Sequence, residues 1–278
     1  MVRQQDADSA IVKGAETIDL QEGGSHGVLL LHGFGDTPQT LSLLARRLAR
    51  NGYGVLAPLL PGHGRNMDAF RRSRADEWIS AARDALRAMN ARYARVSIVG
   101  LSMGGAITVL LASESGSLES VVLIAPYLGM PTRIRLAAGM HRLWGRFAGE
   151  INARSPRSIH DPIEREKNLA YGTVTGRMLF ELSRVVRKAR GALGRVTAPT
   201  LVIMSKEDPR VAPEVGEFTI RNLGARDKKL VWTEGAGHII TVDYGRERVF
   251  TEITTWLRTH EGRSATAAEG YQAAVERP

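Results

Sequence analysis

Residues 96–108 read Val96-Ser97-Ile98-Val99-Gly100-Leu101-Ser102-Met103-Gly104-Gly105-Ala106-Ile107-Thr108. The run up to Gly100 has the short, apolar, β-branched character of a buried strand. From Gly104 to Ser113 the chain reads as a helix. Between them lies Gly-x-Ser-x-Gly, centred on Ser102. A sharp strand-to-helix turn would hold that serine exposed at the carboxyl end of a sheet, in a strained conformation. Gly100 and Gly104 would keep side chains out of its way. Five such residues also occur by chance, and the strand before and the helix after them carry the argument.

Outward from this turn, short apolar runs alternate with amphipathic stretches, the rhythm of parallel strands joined by crossover helices. Val28–Leu31, Gly54–Ala57, Val121–Ala125, Leu201–Met204 and Leu230–Trp232 read as further strands. Pro38–Arg50, Ala75–Asn90, Pro213–Leu223 and Glu247–His260 read as helices, and Pro58–Arg74 as a long loop. Between Pro126 and Val196 the rhythm stops: no strong strand appears, only two or three helical stretches broken by Gly and Pro. The class is therefore α/β, with a core in residues 1–126 and 197–260, a helical cap inserted at 127–196, and a small polar tail at 261–278 expected to fray.

Composition narrows the function. The 278 residues are 43% hydrophobic and 24% charged, ordinary for a soluble globular enzyme. There is no cysteine, which excludes disulfides, thiolate metal sites and a cysteine nucleophile. The polar start Met1-Val2-Arg3-Gln4-Gln5-Asp6 lacks a signal-peptide core, and no run suits a membrane span, so a cytoplasmic protein is expected. The formal charge of +9 is concentrated: Tyr127–Arg195 holds 14 Lys or Arg against 5 Asp or Glu, and the rest of the chain is neutral. A solvated basic surface is the plain explanation, and attraction to an anionic or lipid surface or an anionic substrate the sharper one. Without a nucleic-acid reading motif, nucleic-acid binding is not expected.

A serine hydroxyl needs a base. Of seven histidines, His238 in Gly235-Ala236-Gly237-His238 follows the last strand, where a loop can return to the carboxyl edge. His26, His32, His63, His141, His160 and His260 compete; His32, at the mouth of an early strand, is better read as shaping a loop. A carboxylate must orient the base. Asp208, four residues past the strand 201–204, is best placed, with Glu207 and Asp243 as alternatives. The oxyanion of an attacked ester could be met by the backbone N–H groups of Met103 and of Phe34 in His32-Gly33-Phe34-Gly35, a segment that otherwise is only a tight turn. Neither a dinucleotide fingerprint, a Walker pattern nor a metal-ligand cluster appears, so no cofactor or metal is expected.

With Leu30-Leu31-His32-Gly33-Phe34, Gly62-His63-Gly64, Gly100–Gly105, Ala198-Pro199-Thr200 and Gly237-His238-Ile239-Ile240-Thr241 in hand, the chain resembles the α/β-hydrolases, and within them the bacterial carboxylesterase and monoacylglycerol lipase group, over Gly27–His260. The resemblance implies the α/β-hydrolase fold, a mostly parallel central sheet flanked by helices. It also implies Ser102 as nucleophile, Asp208 as acid, His238 as base, and Phe34 and Met103 as oxyanion donors. The expected activity is that of a serine carboxylesterase on short- to medium-chain esters, or else a monoacylglycerol lipase or lysophospholipase-like hydrolase. The cap's apolar residues Leu128, Met130, Met140, Leu143, Trp144 and Phe147, with Ile239, are candidates to receive the acyl chain; plain cap core is the alternative. Three rivals stand: the same fold cleaving an amide, thioester or C–C bond; a non-catalytic binding protein on this fold; and a membrane-surface or nucleic-acid binder using the basic cap.

Overall fold

The computed structural model describes residues 10–141 and 149–262. Its centre is a seven-stranded sheet of β1 (Ile18–Leu20), β2 (His26–Leu31), β3 (Gly54–Ala57), β4 (Arg95–Leu101), β5 (Val121–Ile124), β8 (Thr200–Ser205) and β9 (Lys228–Thr233). The spatial order is β1-β3-β2-β4-β5-β8-β9. All neighbours run parallel except β1, which lies antiparallel on β3 with Ile18 opposite Ala57. β2, β4, β5 and β8 are apolar runs because both sheet faces are covered. Alternate residues serve opposite layers. Leu29, Leu31, Ile98, Leu123 and Val202 pack to one side, and Val28, Leu30, Val99, Val122 and Ile203 to the other.

Helices α1 (Ser42–Arg50) and α9 (Arg246–Thr259) cover the second face. The first is covered by α3 (Ala75–Arg92), α4 (Met103–Glu114), α7 (Gly176–Ala192) and α8 (Pro213–Asn222). In α3, Trp78, Ala82, Ala85 and Met89 recur at helical spacing and are all buried. Burying a side chain the size of Met89 contributes about 1.5–3 kcal/mol, and the alanines between let the helix approach the sheet closely. Helix α4 is buried from Met103 to Ala112 and is apolar on every side, as a helix in the middle of a molecule must be.

Three details differ from expectation. β1 was not foreseen. The stretch expected as a loop holds α2 (Met67–Arg72), begun by the Asn66 side chain, which accepts from the Ala69 N–H at 2.8 Å, and held by the buried Phe70. Pro38–Leu41 forms a 3-10 turn before α1 rather than its first turn. Between β5 and β8 the chain leaves the sheet for α5 (Thr132–Gly139), α6 (Pro162–Lys167), α7 and a two-residue strand pair, β6 (Ile151–Asn152) with β7 (Thr173–Val174). The helix expected over 140–147 falls mostly, and the tail past 262 wholly, outside the described residues.

Candidate active site

β4 delivers Ser102 at the carboxyl edge with φ 57° and ψ −115°, in the region that L residues avoid. The surrounding hydrogen bonds hold it there. Its N–H donates to Ile124 O at 2.9 Å, and its carbonyl accepts from Tyr127 N at 3.0 Å and Ala106 N at 3.1 Å. Such backbone strain costs about 1–3 kcal/mol and persists only where neighbours over-determine it. The flanking glycines make the turn possible. A Cβ on Gly104 would overlap the Leu31 carbonyl, and one on Gly100 the Thr108 hydroxyl and the Gly104 backbone. The positive end of α4 points at the serine.

β8 and β9 end at the same edge. Ser102 Oγ–H donates to His238 Nε2 at 2.8 Å, and His238 Nδ1–H donates to Asp208 Oδ2 at 2.7 Å. The carboxylate can only accept, which fixes the tautomer. Ser102 and His238 are 7% and 5% exposed, and the Asp208 side chain 0%. Burial pushes the Asp208 carboxyl up. The facing His238 charge and hydrogen bond, with N–H donations from Arg210 (2.7 Å) and Val211 (3.0 Å), outweigh it and hold the group below the usual carboxylate range. The two alternative acids are occupied elsewhere. Glu207 accepts from the Gly235 N–H, and Asp243 is spent on backbone donors.

β2 ends in the loop carrying Phe34. A Cβ on Gly33 would lie 3.5 Å from Ser102 Cβ, so this loop faces the serine closely. Among the described residues no acceptor takes the N–H of Phe34 or Met103. His32 holds the loop: its Nε2 accepts from Leu60 N at 3.1 Å and its Nδ1–H donates to Gly33 O at 2.9 Å. Burial lowers its pKa to about 4, so it stays neutral. Beneath, buried Asp36 accepts from the Thr37 N–H at 2.8 Å and the Thr40 hydroxyl at 2.9 Å. Burial raises its carboxyl to about 6, against the pull of these bonds and of the His238 and Arg210 charges.

A cavity of about 1050 Å³ opens onto Ser102, His238 and Phe34, and the segment between β5 and β8 supplies most of its far wall. Its apolar lining includes Ile134, Ile159, Val174, Leu179, Leu182 and Ile239. Of the acyl-chain candidates, Ile239 lines it. Three others do not. Leu128 is fully buried in the core, Met130 packs against that core, and Met140 is 52% exposed outside the cavity. An apolar residue here can serve packing, cavity or surface, and helical spacing does not distinguish these. Leu143, Trp144 and Phe147 lie outside the described residues.

Against known proteins, a family model described as Hydrolase_4, serine aminopeptidase S33, matches residues 25–244. The chain belongs to this family. It is 29% identical over 254 residues to a thermostable monoacylglycerol lipase of Bacillus sp. (strain H-257), covering 91% of this chain and 98% of that one. It is 25% identical over 240 residues to a carboxylesterase of Bacillus subtilis (strain 168), covering 85% and 94%. A solved structure from the metagenome-derived lipolytic enzymes LipS and LipT superposes with a TM-score of 0.81 at 29% identity, covering 90% and 100%. The fold is that of the α/β-hydrolases.

In this S33-family chain several residues beside the relay had no clear signal in the sequence. Asp243, weighed only as an alternative acid, accepts four backbone N–H bonds at 2.7–2.9 Å, from Gly237, His160, Asp161 and Tyr244. Arg210 reaches across to Ser158 Oγ at 2.9 Å and Ala153 O at 2.7 Å. The Tyr171 hydroxyl accepts from Arg65 N and donates to Gly62 O, while its ring stacks on Phe70 at 4.8 Å. Asp36 could be suspected only from its burial.

Proposed function

We propose that this chain is a serine carboxylic-ester hydrolase acting through an acyl-enzyme on short- to medium-chain esters, with monoacylglycerols or lysophospholipid-like esters as the nearest alternatives. The observation that carries it is the Ser102–His238–Asp208 chain of hydrogen bonds opening into a cavity with an apolar wall. Similarity to a monoacylglycerol lipase and a carboxylesterase supports ester over amide cleavage. In this reading the described residues within 1–126 and 197–260 serve as the catalytic core, and those within 127–196 as the cap.

Ser102 Oγ attacks the ester carbonyl carbon as its proton passes to His238 Nε2. The resulting oxyanion is received by the Phe34 and Met103 N–H groups, and losing one such donor costs about 10²–10³ in rate. Collapse breaks the bond to the alcohol, which leaves with the proton from His238. Water then gives a proton to the same nitrogen and adds to the acyl carbon. The Oγ–C bond breaks, Oγ recovers the proton, and the acid is freed. Asp208 stays ionised and orients the ring throughout. No cofactor is required.

The cap also suits peripheral contact with an anionic or lipid surface. Leu136, Met140, Ile151 and Ile163 are exposed there amid arginines, and salt-sensitive vesicle pelleting tests that contact. Among the described residues no helix is long and apolar enough to cross a membrane. The function itself is tested with p-nitrophenyl butyrate and octanoate. Turnover by the wild type and none above background for Ser102→Ala is expected, with a fluorophosphonate probe labelling only the former. Activity surviving the substitution refutes the assignment.

A further inference from the structure

Hydrolysis of a neutral ester needs no fixed cation beyond the relay, yet four arginines line the cavity: Arg133, Arg154, Arg165 and Arg210. They face only two acids in that lining, Glu166 and the deep-lying Asp36. Among the described residues none of the four makes an ion pair, whereas Arg83, Arg92 and Arg184 elsewhere each pair with a carboxylate. Arg165 and Arg210 donate to backbone carbonyls and to the Ser158 hydroxyl, neutral groups that position a guanidinium without cancelling its charge. Arg133, on α5, and Arg154, just past β6, have no side-chain hydrogen bond or ion pair among the described residues. A cavity with an apolar wall and unpaired guanidinium groups has two kinds of demand to satisfy. An acyl chain meets the first. The planar fork of arginine suits a carboxylate or a phosphate for the second. A concave site lined by one sign of charge also concentrates ligands of the opposite sign.

Resting on the ester-hydrolase assignment, we propose that the preferred esters carry an anionic carboxylate or phosphate in the same molecule as the scissile bond, received by Arg133 and Arg154. Such a substrate is an acylated hydroxy acid or an acylated polyol phosphate, rather than a neutral glyceride. The class of reaction that supplies it joins an acyl group to a hydroxyl of an anionic compound.

The test compares kcat/KM for three esters with one acyl group, below their aggregation concentrations: 1-octanoylglycerol, 1-octanoylglycerol 3-phosphate and 3-octanoylglycerate. An exposed ion pair multiplies affinity by about two- to fivefold, so two arginines predict an anionic-to-neutral ratio of roughly 4 to 25, expressed in KM. The ratio should fall towards one in Arg133→Gln/Arg154→Gln. It should also fall in about 1 M NaCl, where the Debye length is about 3 Å. Arg177→Gln/Arg187→Gln removes the same charge from exposed cap positions outside the cavity, and should keep the ratio. Thermal unfolding midpoints establish that each variant is folded. Preference for either oxyanion supports the proposal and identifies which headgroup fits. A wild-type ratio of one or less, or a ratio that survives Arg133→Gln/Arg154→Gln, overturns it. Absence of turnover on all three esters and on p-nitrophenyl butyrate defeats the ester assignment itself, a separate outcome.

Discussion

Asp36 offers a sharp test because its charge works against the fold. Its carboxyl is buried beside the serine, and burial raises its pKa from 3.8 to about 6. An acid raised on folding contributes stability that is complete below its unfolded value, near 3.8, and lost as pH rises through about 6. One pKa unit corresponds to about 1.4 kcal/mol. The linkage penalty therefore grows from about 0.6 kcal/mol at pH 4 to about 3 kcal/mol at pH 7 and above. Asp36→Asn removes the titration and keeps both contacts. The amide oxygen accepts from the Thr37 N–H, and the amide nitrogen donates to Thr40 Oγ, whose own proton has a second acceptor in Thr37 O at 3.1 Å. The variant should thus gain about 2–2.5 kcal/mol on the wild type between pH 4 and pH 7, or roughly 4–10 °C in Tm. The assay is thermal or denaturant unfolding of both proteins across this pH range. Parallel stability curves would refute the claim that Asp36 ionises at a cost in the folded chain.

Asp208→Asn should lower kcat by about 10³–10⁴, because the amide cannot orient and support the imidazolium. As Asp208 is held below its ordinary value near 3.8, its stabilising effect is present above that pH and lost as pH falls through the depressed value, so wild type and variant should converge in stability in strong acid. Asp243→Asn leaves one acceptor oxygen for four backbone donors. With two buried N–H groups orphaned at about 1–3 kcal/mol each, a loss of about 2–6 kcal/mol is expected in denaturant unfolding. In the same variant kcat/KM should fall, since Gly237 adjoins the base. Gly104→Ala forces a methyl into the Leu31 carbonyl and should cost about 1–3 kcal/mol or prevent folding, as judged by circular dichroism melts.

Much of the fold is legible in the sequence for a physical reason. A strand covered on both faces must be apolar throughout, so β2, β4, β5 and β8 declare themselves, and the residues that follow them fall at one edge. That geometry singles out Ser102, Asp208 and His238 despite their separation along the chain. β1 escapes because three residues with a central Asp19 carry too little pattern. Helix α2 escapes because Phe70 is its one buried residue, leaving no periodic stripe. The cavity wall escapes for a different cause. Leu128 and Met140 are both apolar, but which of them meets core or solvent depends on the direction of a segment with no sheet to fix it. An acid such as Asp36 or Asp243 looks like any surface carboxylate until the fold buries it.

The tethers of that segment explain why it belongs to the active site rather than merely covering it. Each loop bearing a relay group also grips the segment between β5 and β8. Arg210, two residues past Asp208, donates to Ser158 and Ala153. Asp243 joins Gly237, the neighbour of His238, to His160 and Asp161, and the Ile239 N–H donates to Ser158 O at 3.0 Å. Beside Phe34, the Tyr171 N–H donates to Gly35 O at 3.1 Å. Water can replace such bonds at the surface, but Asp243 and Ser158 are buried, and a donor orphaned there keeps its full desolvation cost. The loops that place Asp208 and His238 at 2.7–2.8 Å from their partners are therefore braced by this segment. The contacts that tie this segment to the core thus lie on the same two loops that carry Asp208 and His238, and in the proposed mechanism they would support the alignment of the relay.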